Sequence, residues 1–185
     1  LANLDDQEPI ILALEECLRL HAIDASIFAP FVIARCGQGS TNAAVELRVD
    51  MQAENSASIR SVRIRLQWDP ANAFTLPVAV QERVVTEWAA LGVACALLPA
   101  LTGLRVLSVA LEGERFDYRI GDGQTEWGLE VSGTLTEDGR EFRERLRIKL
   151  RQLHDNPYGI GGYAVVVGFV RQEVLISVPD EETAL

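Results

Sequence analysis

Two acidic residues sit in stretches whose pattern could set them to work on one substrate. In Phe116-Asp117-Tyr118-Arg119-Ile120 the apolar side chains fall at 116, 118 and 120. In Trp127-Gly128-Leu129-Glu130-Val131-Ser132 they fall at 127, 129 and 131. A period of two marks extended chain with one buried face, so Asp117, Glu130 and Ser132 are expected to point away from the core. On neighbouring strands the carboxylates of Asp117 and Glu130 would lie a few ångström apart and repel, and a shared divalent cation would relieve that repulsion. Such an ion could orient a water and offset the charge developing on a phosphorane. A second reading fits the same residues: a solvated face on which one acid pairs with Arg115 or Arg119.

Positive charge is concentrated nearby. The 185-residue chain has 17 Lys and Arg against 27 Asp and Glu, a net charge of −10. An acidic surface repels phosphate, which counts against nucleic acid unless basic residues cluster. Arg140, Arg143, Arg145, Arg147, Lys149 and Arg151 do cluster, interrupted only by Glu141 and Glu144 as acids. Arg143, Arg147 and Arg151 recur every four residues, one stripe on a helix. The stripe either follows a phosphate backbone or is a solvated face paired with Glu141 and Glu144. Tyr158 and Tyr163 either stack on bases or pack.

Other chemistries find less to work with. Cys17, Cys36 and Cys95 have no C-x-x-C spacing, so reduced, buried thiols are expected rather than a zinc site or disulfide framework. His21 and His154 are far apart, and nothing beyond their presence supports a nucleophile–histidine site. Gly37-Gln38-Gly39-Ser40-Thr41-Asn42 lacks the lysine and helix of a phosphate loop and reads as a turn.

The elements that must position these residues follow from periodicity. Ile11, Leu14, Cys17 and Leu18 predict a helix from Glu8 to His21, capped by Asp5 or Asp6 with Pro9 in its first turn. Ile27 to Cys36, interrupted by Pro30, reads as a short strand or irregular buried segment. Alternation at Val45 to Met51 and Val62 to Trp68 predicts two antiparallel strands with outward charges of opposite sign. Beyond Pro77 the pattern predicts a helix over Gln81 to Leu98 ended by Pro99 and Gly103. Strands follow over Arg105–Leu111, Arg115–Ile120 and Trp127–Leu135, then a helix over Arg140–His154 and a strand over Tyr163–Val170. A last edge strand is expected over Val174–Val178. The apolar stretch Trp88 to Leu101 looks too short to span a bilayer. The opening residues lack a signal peptide's features. A soluble, cytoplasmic protein is expected, with 48% apolar and 24% charged residues as in ordinary globular chains.

The order helix, three strands, helix, strand, with an acid on the second strand and Glu-x-polar on the third, resembles the PD-(D/E)XK nuclease superfamily over about Gln81 to Val170. That resemblance implies an α/β fold: a mixed central sheet flanked by helices over residues 78–185, with residues 1–77 an N-terminal α+β extension serving as an accessory layer. It implies that Asp117 and Glu130 bind Mg²⁺ or Mn²⁺ together with the backbone carbonyl of Val131. Glu82 or, preferably, Glu87 is the added helical acid. Ser132 stands where the family has lysine, and Lys149 on the following helix is the candidate replacement. No proline precedes Asp117. The implied activity is metal-dependent cleavage of nucleic acid, in defence or DNA processing by analogy. The alternative is a catalytically degenerate subunit of a larger assembly, with a protein partner or a second copy and no membrane. An unrelated α/β binding domain is the third possibility.

Overall fold

The computed structural model describes residues 8–37, 43–72 and 79–179. The expected turn beyond Gly37, the capping Asp5 and Asp6, and Pro77 lie outside the described residues. Among the described residues eight strands form one mixed sheet: β1 (Ile10–Ala13), β2 (Ala44–Ala53), β3 (Ile59–Gln67), β4 (Arg105–Val109), β5 (Tyr118–Gly121), β6 (Glu126–Thr134), β7 (Gly162–Gly168) and β8 (Glu173–Val178). Their order across the sheet is β1-β3-β2-β8-β7-β6-β5-β4. Four α-helices among the described residues flank it: α1 (Leu14–Leu18), α2 (Ala29–Cys36), α3 (Glu82–Thr102) and α4 (Gly139–His154). The α/β class and the sequence α3, β4, β5, β6, α4, β7 agree with the pattern read from the chain.

The second half is laid out by local rules. β4, β5 and β6 form an antiparallel meander, and α4 carries the chain over so that β7 runs parallel to β6. β7 is buried on both faces: Val165 and Val167 join the core beneath α1, α2 and α3, while Ala164 joins Phe116 and Leu153 beneath α4. The small residues of α3 let it lie close against the sheet. A Cβ on Gly133 of β6 would fall 2.5 Å from the Thr86 carbonyl oxygen, an approach only glycine allows.

Pro99 does not end α3, which runs on to Thr102 and stops at Gly103 in the left-handed conformation. Proline has no N–H for the carbonyl of Cys95, four residues back. That carbonyl instead accepts from Nε2 of His21 at 2.8 Å, and the backbone N–H of Val106 on β4 donates to Nδ1 at 2.8 Å. Both partners fix His21 as the neutral Nε2–H tautomer. At 21 residues α3 has the length and apolar composition to cross a membrane, contrary to the reading of the shorter apolar stretch. However, 67% of its most apolar window is buried inside the fold.

The first half departs further from expectation. Ile10–Ala13 is not helical but pairs in parallel with β3, and only Leu14–Leu18 winds into a helix. The β-branched pair Ile10-Ile11 occupies the free edge of β3, where backbone pairing outweighs a short run of helical spacing. Ile27–Cys36 is a 3₁₀ turn (Ala25–Phe28) leading into α2, whose Pro30 sits in the first turn where no N–H is needed. β2 and β3 are antiparallel as expected, with Glu46 of β2 bridging Arg63 at 2.8 Å and Arg65 at 3.9 Å on β3.

β8 is not an edge strand. It lies between β2, to which it is parallel, and β7, to which it is antiparallel, with Val174, Ile176 and Ser177 buried. Through it the residues read as an accessory layer share one sheet and one core with the rest.

Candidate functional site

The site begins where β5 fails to start. Ladder pairing runs from Gly121↔Glu126 to Tyr118↔Leu129, and the Asp117 N–H still donates to the Leu129 carbonyl at 3.0 Å. Upstream, Arg115 takes a left-handed φ of 60° and turns the chain aside. The next N–H of β6 on that edge, Val131's, then has no strand carbonyl to meet. It donates to Oδ2 of Asp117 at 3.1 Å. A carboxylate thus occupies a ladder position at the rim of the sheet. In a strand the N–H and C=O of one residue point to the same edge, so the Val131 carbonyl opens on the same gap.

This turn corrects one expectation. Phe116 does not share a face with Tyr118 and Ile120: it packs beneath α4, whereas they belong to the core under α3. Asp117 therefore sits between the two faces. Glu130 alternates with Leu129 and Val131 and points toward α4.

Lys149 of α4 completes the cluster. Its Nζ lies 2.5 Å from Oε2 of Glu130 and 3.9 Å from Oδ2 of Asp117. The Glu130 side chain is only 4% exposed. Burial, with the negative charge of Asp117 behind it, pushes the Glu130 carboxyl up to about 7 although the Lys149 ammonium pulls the other way. Neither acid is clamped by arginine among the described residues. Arg119 is engaged by Glu114 and, at 3.0 Å, by Glu126.

Two hollows meet at this point, and Asp117 lines both. One, about 390 Å³, is bounded by Arg115, Phe116, Glu130, Gln152 and Asp155. The other, about 420 Å³, includes Arg83, Glu87, Trp88, Tyr118, Val131 and Lys149.

Two carboxylates and a backbone carbonyl are hard oxygen donors of the kind Mg²⁺ and Mn²⁺ take, and Mg²⁺ keeps several waters rather than needing a protein cage. Among the described residues no group of three or more His, Cys, Asp or Glu side chains is gathered for a metal. The donors therefore fit a partly hydrated ion, which would share the Glu130 carboxylate with the Lys149 ammonium.

Not every expected residue joins. Glu87 lines the second hollow but is exposed and paired with Arg83 at 2.8 Å; Glu82 is turned away to Arg35. Ser132 lines neither hollow and has no side-chain hydrogen bond among the described residues. Arg147 bridges Glu144 at 2.9 Å. Together with Arg143 it borders a separate hollow shared with Asp50 and Glu54, and Arg151 is exposed. The arginine stripe is not continuous with the acids. Tyr163 packs edge-on against Trp127, ring centroids 6.2 Å apart, while Tyr158 is exposed. The three thiols are free and buried, with Cys36 and Cys95 pushed up to about 12 by burial, which removes their nucleophilicity at neutral pH. His154 pairs with Glu54 at 2.7 Å, far from His21's bonds to Cys95 and Val106.

Trp88, Arg83, Gln152 and Asp155 were not legible as site residues. Trp88 lies one residue after the acid singled out on α3, and a large aromatic among the small residues of that helix is the available signal. Compared with protein-family models, with curated proteins and with solved structures, the chain matches none.

Proposed function

We propose that this chain is a metal-dependent phosphodiesterase of nuclease type acting on nucleic acid. One observation carries the reading: Asp117 before β5, Glu130 on β6 and Lys149 on α4 converge at a rim gap that opens into two hollows. Asp117 and Glu130, with the Val131 carbonyl, would hold Mg²⁺ or Mn²⁺. The bound ion supplies Lewis acidity toward a phosphoryl oxygen and a more acidic water.

The chain's own residues account for the rest. Val131's N–H fixes the Asp117 carboxylate without spending a side chain on it. Burial keeps the negative charge of Glu130 costly unless a cation is near, so the site favours a positively charged occupant. Lys149 lies within reach of both acids and can direct its ammonium to a phosphate oxygen as charge grows there. Glu87 stands across the second hollow, tied to Arg83, as an outer acid.

A second reading has its own observation. Lys149 already neutralises Glu130, as in a cluster kept for structure alone, and Val109 at the end of the outer strand β4 and Leu111 just beyond it are exposed. These features suit a non-catalytic subunit. The test is cleavage of labelled single- and double-stranded DNA and RNA with Mg²⁺ or Mn²⁺. Asp117→Asn and Glu130→Gln should each lower the rate by at least about a hundredfold, as removal of a group stabilising transition-state charge does. Cleavage by both variants as fast as by the unaltered chain, or no cleavage by the unaltered chain, would favour the subunit reading.

A further inference from the structure

The hollow of about 420 Å³ has an apolar side that metal chemistry does not call for: Trp88, Leu91, Val109, Tyr118 and Val131 line it together with Asp117 and Lys149. Trp88 is 42% exposed even though two phenylalanines of the α2 region brace its ring. Phe28 meets it at 82° with centroids 6.1 Å apart, and Phe31 at 72° and 4.9 Å. An indole held at two steep angles has its plane fixed. Its remaining surface can take a flat ring with little further loss of freedom.

The first hollow, about 390 Å³, begins on the far side of Asp117 and is the more polar in its residues, with Arg115, Glu130, Gln152 and Asp155 beside Phe116 on its walls. A phosphodiester bound at the acids would thus be flanked by an aromatic recess and a polar one. Each has the volume in which small ligand groups are enclosed. Bases stacked and paired inside a duplex cannot enter such recesses without leaving the stack, whereas those of a single strand can. The recess beside Trp88 has cationic Lys149 on its wall; of its two acids, Glu87 is paired with Arg83 and Asp117 stands where the phosphodiester would be held, an arrangement that matches a base followed by its phosphate.

The geometry points to single-stranded nucleic acid as the substrate class, with the base next to the bound phosphate stacked on Trp88. This rests on the phosphodiesterase reading of the acids, from which its test can be separated. Binding by fluorescence anisotropy and initial cleavage rates in Mn²⁺ are measured on a labelled oligothymidine, its fully abasic counterpart and a hairpin duplex of matched length.

The single strand should bind tighter than the duplex. Trp88→Leu, which keeps apolar contact with Phe28 and Phe31, should weaken single-strand binding about tenfold, and Trp88→Phe, which keeps a ring, should weaken it less. The abasic strand needs no variant to be informative: it should bind the unaltered chain about tenfold more weakly than the oligothymidine. Equal binding of the abasic and normal strands, or a duplex preferred over the single strand, overturns the inference. If Asp117→Asn abolishes cleavage while Trp88 and strandedness have no effect, the base site falls and the phosphodiesterase reading stands. Trp88-dependent single-strand binding without Mn²⁺-dependent cleavage keeps the base site and removes the phosphodiesterase reading.

Discussion

Lys149 and Glu130, 19 residues apart, meet end to end across the packing of α4 on β6, the ammonium 2.5 Å from a carboxylate that is otherwise sealed from solvent. The pair holds α4 over the rim where Asp117 lies. Removing one member of a buried ion pair leaves the other charged and unsolvated, at a typical cost of about 3 kcal/mol. Well above the titration of Glu130, at pH 9, Lys149→Met should destabilise the fold by up to that order in urea unfolding, and adding Glu130→Gln should recover most of the loss. Unchanged stability in Lys149→Met would show that the pair is solvated after all.

The raised carboxyl of Glu130 gives a sign that can be checked against pH. Its folded value, about 7, lies above the ordinary 4.5. The proton is held in both states below about 4.5, so the contribution is full there; it is lost as pH rises through 7, by about 3 kcal/mol at most. Glu130→Gln lacks this loss. Its melting temperature relative to the unaltered chain should climb between pH 4.5 and 7 and then level off. A difference independent of pH in that window contradicts the assignment.

His21 titrates with the opposite consequence. Burial, reinforced by Arg105, holds its pKa below the ordinary 6.5 even though the bond to the Cys95 carbonyl works against this. A depressed folded value means stability that is present above about 6.5 and lost as pH falls below it. Protonation would also remove the acceptor for the Val106 N–H. His21→Leu should cost roughly 2 kcal/mol at pH 8, since two buried backbone groups lose their partner. It should also flatten the acid side of the stability profile. An unaltered acid limb in that variant would mean that other groups set it.

Much of the layout was readable because period-two and helical patterns report burial directly: β2, β3, β6 and α4 were found within a few residues of their observed ends. The misreadings share a cause, namely that local pattern does not see pairing partners. Val174–Val178 reads like an edge strand by its shortness, yet β2 arrives from far upstream to cover its free side. Ile10–Ala13 carries helical spacing but finds an open edge on β3. Pro99 reads as a helix end, and only the distant His21 makes its passage through α3 affordable. At the site, alternation put Asp117 and Glu130 on neighbouring strands, and the family resemblance pointed to Lys149 on α4. The left-handed Arg115, which takes Asp117 off the face and onto the rim, has no signature in the residue types. Ser132 was placed by alternation beside Glu130 and by family position, yet it lines neither hollow.

The closeness of α3 to β6 should be as sharply limiting as the glycine contact implies. Gly133→Ala sets a methyl carbon 2.5 Å from the Thr86 carbonyl oxygen and 3.0 Å from the Ala90 side chain, both on α3. Overpacking of this kind costs about 1–3 kcal/mol. The helix should shift outward, carrying Glu87 and Trp88 away from Asp117, so calorimetry should record a lower melting temperature. A variant as stable as the parent would mean that α3 has slack the packing does not reveal.

Calorimetric titration of Mn²⁺ into the unaltered chain, Asp117→Asn and Glu130→Gln bears most directly on whether the rim gap is a cation site. One ion per chain is expected, bound more tightly as pH rises toward 7 because the proton on Glu130 competes for the same oxygens, and lost in either variant. Absence of binding, or binding that both variants retain, contradicts the account.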